Sequence, residues 1–394
     1  MPRIPAFSTG PLIPLFLLAG IFFCNFFARI FFAPLLPELE QRLGLSHGQA
    51  GLFFLLISCG YFLFLLGSGF VSARIGHKKT ILASITGILL ALALISVTPT
   101  TPLFRPAFFL LGCSAGLYLP SAVATIAALF PPAKLGRAFG VHELAPNLAF
   151  VAAPLYVALL LPHFTWQQII RLLLPLLLVS ILLYALCGAE PEHKNASPDP
   201  GQYALLLKTK NFWLMVLLFS MGITSTLGIY SVLPTYLVSV HGFAEQQSNL
   251  LVAATRVPTV LAALAGGFLA DRFGKRRAMG MVLAGSGLAT ILLGQALPLV
   301  RIAIWLQPLI AVCFFPAGFA MLAKIGPTRS RPIVVSLTIP LAFVIGGGMT
   351  PAIITRLADH GLFASAISGT GLFIALSSLL VRQLNTAPQN DTIK

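Results

Sequence analysis

The chain has 394 residues, of which 57% are apolar and only 9% charged, with a mean hydropathy of +0.93. Soluble domains carry roughly 25% charged residues because their surfaces face water, so a chain this poor in charge must present its exterior to lipid. The net charge of +15 does not indicate a nucleic-acid partner, because the Lys and Arg residues form short clusters between apolar runs, as in loops at a membrane surface.

Apolar segments of about 20 residues, enough to cross about 30 Å of hydrocarbon, recur along the whole sequence. They are expected near 11–36, 47–71, 79–98, 103–129, 135–161, 167–187, 211–238, 247–270, 278–298, 301–324, 332–355 and 362–383. The first is too long for the apolar core of a signal peptide and lacks a small-residue cleavage site, so it is expected to remain as a span. Cys24, Cys59, Cys113, Cys187 and Cys313 all fall within apolar runs without CxxC spacing, which points to packing residues and to neither a metal site nor disulfides. The long polar stretch at 188–210, with Glu190, Pro191, Glu192, His193, Lys194, Pro198, Asp199 and Pro200, is the expected linker between halves at 1–187 and 211–394. The expected fold is an all-α membrane protein of twelve transmembrane helices. With the N-terminus in the cytoplasm, 18 of the 25 Lys and Arg residues lie on that side. Arg42, Arg105, Arg171, Arg301 and Arg356 lie on the other side, and Arg29 and Arg256 lie within spans. That bias places both termini in the cytoplasm, with the bacterial inner membrane as the expected location.

The two halves repeat. After span 2 the chain reads Gly69-Phe-Val-Ser-Ala73-Arg74-Ile-Gly76-His77-Lys78-Lys79, and after span 8 it reads Gly267-Phe-Leu-Ala-Asp271-Arg272-Phe-Gly274-Lys275-Arg276-Arg277, an offset of 198 residues. Leu36-Pro37 matches Leu233-Pro234, and Gly44 matches Gly242. Such repeats are one known transporter architecture. The Gly-x-x-x-Asp-Arg-x-Gly-basic-basic loop resembles the signature of the major facilitator superfamily, and the resemblance covers essentially the whole chain. It implies two pseudo-symmetric six-helix bundles, with helices 1, 4, 7 and 10 lining a central cavity and 2, 5, 8 and 11 forming the interface. It also implies that the loop residues steady the outward-open state. Carried over residue by residue, that latch comprises Gly69, Arg74 and Gly76 in the first copy. In the second it comprises Gly267, Asp271, Arg272, Gly274 and Arg276. Ala73 departs from the pattern where an acidic residue is usual, which weakens a charge latch in the first half.

An ionisable side chain within a span is costly unless it faces a cavity or a partner. Three lie well inside: Arg29 in span 1, Glu143 in span 5 and Arg256 in span 8. Asn25 shares a helical face with Arg29 at i, i+4 spacing. Span 4 carries a polar stripe that includes Tyr118 and Ser121, and span 7 offers Thr224 and Tyr230. Guanidinium stays charged and presents a planar fork of donors suited to carboxylates and other oxyanions. Arg29, Arg256, Asn25, Tyr118, Ser121, Thr224 and Tyr230 are therefore the candidate substrate-binding residues; the alternative for the arginines is pairing with helix-end carbonyls or snorkelling. Glu143 is the candidate proton carrier, since low dielectric favours the protonated carboxyl, with His142 beside it as a weaker one.

The expected function is alternating-access transport of a small organic anion, carboxylate-like, by proton symport in a monomer without cofactor. The alternative is export of amphipathic drugs or metabolites, with the 31 Phe residues forming a greasy interior and the arginines structural. Against that, the arginine that proton-driven drug antiporters of this resemblance carry before the Gly-rich run of span 4 is replaced by Phe108 and Phe109. No catalytic motif such as HExxH or GxSxG occurs on a loop, so an enzyme is not expected.

Overall fold

The computed structural model describes residues 10–97, 101–191, 207–322, 325 and 331–384. The expected linker residues Glu192, His193, Lys194, Pro198, Asp199 and Pro200 lie outside the described residues. The described chain is almost entirely helical. Its long segments are α1 (Leu12–Leu43), α2 (His47–Ile75), α3 (His77–Val97), α4 (Phe104–Leu129), α5 (Pro132–Leu160) and α6 (Trp166–Cys187) in the first half. In the second half they are α7 (Lys210–Ser239), α8 (Glu245–Ala263 with Ala265–Phe273, bent by 41°), α9 (Lys275–Leu293), α10 (Pro298–Leu322), α11 (Val334–Ala358) and α12 (Phe363–Gln383). Ten of these, or eleven with the bent pair as one span, are long and apolar enough to cross a membrane. The remaining one, α9, opens on Lys275, Arg276 and Arg277 and is diluted by glycine and serine, yet it packs along α10 and α12 as the ninth of twelve spans.

Several ends differ from the sequence expectation. α1 continues past Leu36-Pro37 to Leu43, because its last turns are held by an Arg42–Glu38 ion pair of 2.9 Å. It stops where Gly44 turns to φ 62, donating its N–H to the Glu40 carbonyl. α7 likewise runs beyond Pro234, and Gly242 adopts φ 67. Gly76 and Gly274, at φ 85 and 83, make the corresponding breaks after α2 and α8. The repeat seen in the sequence is thus a repeat of left-handed backbone positions, which side chains with a Cβ rarely adopt.

Small residues set the packing. A Cβ on Gly60, Gly112 or Gly116 would strike backbone atoms of the facing helix, so α2 and α4 approach at backbone distance. Between the halves, α2 packs on α11, α5 on α8, and the last turns of α1 on those of α7. Hydrogen bonds across the halves gather at one end. There Asn249 donates to the Pro34 carbonyl at 3.0 Å, Gln246 donates to the Ala158 carbonyl at 3.2 Å, and Ser46 Oγ donates to Asp359 at 2.9 Å. Among the described residues none crosses near the basic loops at the other end. The apolar core follows the same division: one cluster runs through the first half and the joined end, and a second is confined to the basic-loop end of the second half. The bundle is closed at the end bearing the α1–α2 and α11–α12 connections.

Candidate functional site

Arg29 sits on α1 among Phe26, Phe27 and Ile30, so its side chain leaves an apolar helix and is only 7% exposed. Its guanidinium lies 4.4 Å from the ring centre of Tyr61, 4.9 Å from that of Phe26 and 5.8 Å from that of Phe343. Nε has no hydrogen-bond partner among the described residues. The small cavity beside it is lined from the first half by Phe26, Arg29, Ser58 and Tyr61, and from the second by Leu227, Ser231, Phe343 and Gly347. Arg29 therefore faces the junction between the halves.

Arg256 is placed by a helix break. Pro258 has no N–H to continue the ladder, the Val260 N–H turns to the Val257 carbonyl at 3.4 Å, and the Thr259 hydroxyl donates to the Arg256 carbonyl at 2.6 Å. The Arg256 guanidinium rests 5.0 Å from the ring centres of both Phe150 on α5 and Tyr230 on α7. Its Nε and Nη2, and the Tyr230 hydroxyl, are buried without partners among the described residues. Phe26 and Phe150 meet edge to face at 5.1 Å, so one aromatic floor connects the two arginines. Neither arginine forms an ion pair with any described carboxylate. Cation–π contact contributes up to about 2 kcal/mol when desolvated, well short of the hydration a buried ion gives up. Both cations are thus left without an anionic partner among the described residues.

The other sequence candidates divide. Tyr230 joins Arg256 directly. Asn25, although one turn from Arg29, turns into the first half and donates to the Ala115 carbonyl at 3.1 Å. The Tyr118 hydroxyl donates to the Leu18 carbonyl at 2.6 Å and contacts His142 Nε2 at 3.0 Å. Ser121 pairs with His77 at 3.3 Å, and Thr224 with Thr350 on α11 at 3.2 Å. These four brace helices around the site, and their polar groups are engaged away from the arginines. His142 is fully buried and stacked on Phe22 at 4.4 Å. The neighbouring Glu143 is 58% exposed, with Oε1 3.4 Å from His142 Nδ1. Glu143 is thus exposed, whereas the arginines are buried in the joined region.

The loop residues Arg74, Asp271, Arg272, Gly274 and Arg276 are exposed. Gly69 and Gly267 are partly covered, and Gly76 is buried. Arg276 donates to the Val381 carbonyl at 2.9 Å, and Asp271 makes no ion pair among the described residues. In the first copy, Glu190, three residues after α6, accepts the Lys78 N–H at 3.2 Å, so a carboxylate lies near the loop that Ala73 cannot supply. Sequence reasoning did not single out Tyr61, Phe150 or Phe343. Nothing separates those rings from the other aromatics along the chain; only their position over a guanidinium does.

A model of the Major Facilitator Superfamily matches residues 18–255 and 229–393. The chain is 24% identical over 362 residues to the uncharacterised transporter YceJ of Bacillus subtilis, covering 90% of this chain and 91% of that one. It is 26% identical over 342 residues to the 4-hydroxybenzoate transporter PcaK of Pseudomonas aeruginosa, covering 76% of each. Among solved structures, a bacterial homologue of the human lysosomal transporter Spinster, in an inward-facing and occupied conformation, superposes with a TM-score of 0.78 at 15% identity, covering 94% of this chain and 96% of that one. With that family model matching both halves, the chain belongs to the major facilitator superfamily and is a membrane transporter.

Proposed function

We propose that this transporter carries a small, carboxylate-like organic anion across the bacterial inner membrane by alternating access, driven by proton symport. The observation that carries this reading is the pair of buried guanidiniums, one from each half, without a carboxylate partner among the described residues and joined by one aromatic floor. An anion held by both would bridge the halves, which is what links binding to rocking. The relative named for 4-hydroxybenzoate carries a carboxylate, in keeping with this assignment. Arg29, Arg256 and Tyr230 contact the substrate; Asn25, Tyr118, Ser121 and Thr224 support the pocket from behind. Glu143, beside His142, is the proton carrier, accessible from the open side.

The excess of Lys and Arg at the open end supports placing that end and both termini in the cytoplasm, with this state facing inward. The Asp271–Arg276 loop then engages in the opposite, outward-facing state, and the molecule works as a monomer of two six-helix halves divided at 188–210. The test is a thermal-shift screen of the purified protein against carboxylates, phosphate and cationic drugs, repeated on Arg256→Gln and Arg256→Lys. A ligand of the folded state raises the melting temperature by mass action. Carboxylates should stabilise the wild type and neither variant, and uptake should be lost in both. Stabilisation by cationic drugs alone would replace this reading with drug export.

A further inference from the structure

The polar groups around the two arginines define what kind of anion fits between them. Most hydroxyls and amides near the site are already bonded within the protein. Ser231 donates to the Leu227 carbonyl at 2.8 Å, and Gln307 to the Ser225 carbonyl at 2.6 Å. Thr224 and Asn25 are held as described above. Among the described residues, the buried groups at the two arginines without a hydrogen-bond partner include the Arg256 Nε and Nη2 pair, the Arg29 Nε and the Tyr230 hydroxyl. Nε and Nη2 lie on one edge of a guanidinium, and together they form the fork that matches the two oxygens of one carboxylate.

A chain of ring contacts links the two guanidiniums. Arg256 lies 5.0 Å from the centre of Phe150, Phe150 lies 5.1 Å from Phe26, and Phe26 lies 4.9 Å from the Arg29 guanidinium. Tyr61 and Phe343 close over Arg29 from the two halves. A sugar acid would bring several hydroxyls over the Phe26 and Phe150 rings, which offer them no hydrogen-bond partner, and each buried unsatisfied group costs about 1–3 kcal/mol. A phosphate would leave oxygens unpaired for the same reason. A flat aromatic body loses nothing there and gains ring–ring contact with Phe26 and Phe150.

We propose that the transported anion is an aromatic carboxylate with a hydrogen-bond acceptor opposite its carboxylate. The carboxylate takes the Arg256 fork, the ring lies over the Phe26–Phe150 pair, and the distal acceptor meets Arg29. The proposal rests on the reading of the two arginines as anion-binding residues. It assigns them separate ends of one ligand and makes Phe150 a specificity-determining residue.

The purified full-length protein is titrated with benzoate, 4-hydroxybenzoate, terephthalate, cyclohexanecarboxylate and gluconate, following melting temperature and competition for uptake. The para-substituted benzoates should bind about tenfold or more tightly than cyclohexanecarboxylate, a ratio corresponding to 1.4 kcal/mol, and gluconate should not bind. Arg29→Gln should erase the advantage of the para-substituted compounds over benzoate while benzoate itself still binds. Phe150→Leu should weaken the benzoates about tenfold and leave cyclohexanecarboxylate unchanged. Equal binding of cyclohexanecarboxylate or gluconate by the wild type would overturn the aromatic assignment and leave the anion reading standing. Anion binding that persists in Arg256→Gln, or no binding of any of these anions, would overturn the anion reading itself. If Phe150→Leu does not fold, the wild-type series and Arg29→Gln still decide the outcome.

Discussion

Among the described residues, Arg256 keeps two N–H donors buried without partners, and its guanidinium rests against two rings. A structural arginine would stabilise the protein through its bonds; this one should weaken it. Replacing Arg256 with Met removes the charge and both unsatisfied donors while keeping an unbranched apolar side chain in place. Stability measured by thermal unfolding should therefore stay level or rise by about 1–3 kcal/mol, while anion uptake is lost. A fall in melting temperature together with retained uptake would return Arg256 to a structural role. The cost of a charge in hydrocarbon made Arg29, Glu143 and Arg256 visible in the sequence. Their partners were not visible, because a helical face gives a direction and not the neighbour it meets. Asn25 shows this: one turn from Arg29, it bonds inside the first half while Arg29 faces the second.

At the scale of helices, contact is governed by glycines and by caps supplied from the other half. Gly112 on α4 has the Ile57 backbone of α2 against the place a Cβ would take, whereas Gly267 has open space there. Gly112→Leu should therefore cost about 1–3 kcal/mol or more by overpacking and depress the yield of monodisperse protein. Gly267→Ala should express and melt like the wild type; size-exclusion profiles and melting curves of the two separate the cases. Gly346, Gly347 and Gly348 show the same dependence on context. They lie in a π-helical segment of α11, where Gly346 meets the backbone of α7 and Gly348 meets Ser58 of α2. The triplet was evident in the sequence, but the three different surfaces it meets were not.

For the molecule as a whole, the closed end is held by short polar contacts that span more than 300 residues of chain. Asp359, after α11, accepts the Gly48 N–H at 3.1 Å and the Ser46 hydroxyl at 2.9 Å, capping α2 of the opposite half. Cysteines at Ser46 and Asp359, in a background without the five native cysteines, should form a disulfide readily in the empty carrier and stop uptake until reduced. Cysteines at Arg74 and Arg272, on the basic loops, should cross-link much more slowly. Equal rates for the two pairs would show that the empty protein does not rest closed at this end.

The sequence by itself determined the membrane class, the twelve spans, the two-fold repeat and the charges that lipid does not tolerate. These follow from hydropathy, spacing and the cost of desolvation, which are local properties of the chain. Only the tertiary structure decided that α1 extends to Leu43, that Glu143 is exposed while both arginines are buried, and that an aromatic floor joins those arginines across the halves. Each of these depends on which faces meet after twelve helices have packed. In a chain whose surface and interior are both apolar, hydrophobic patterning carries little information about that choice.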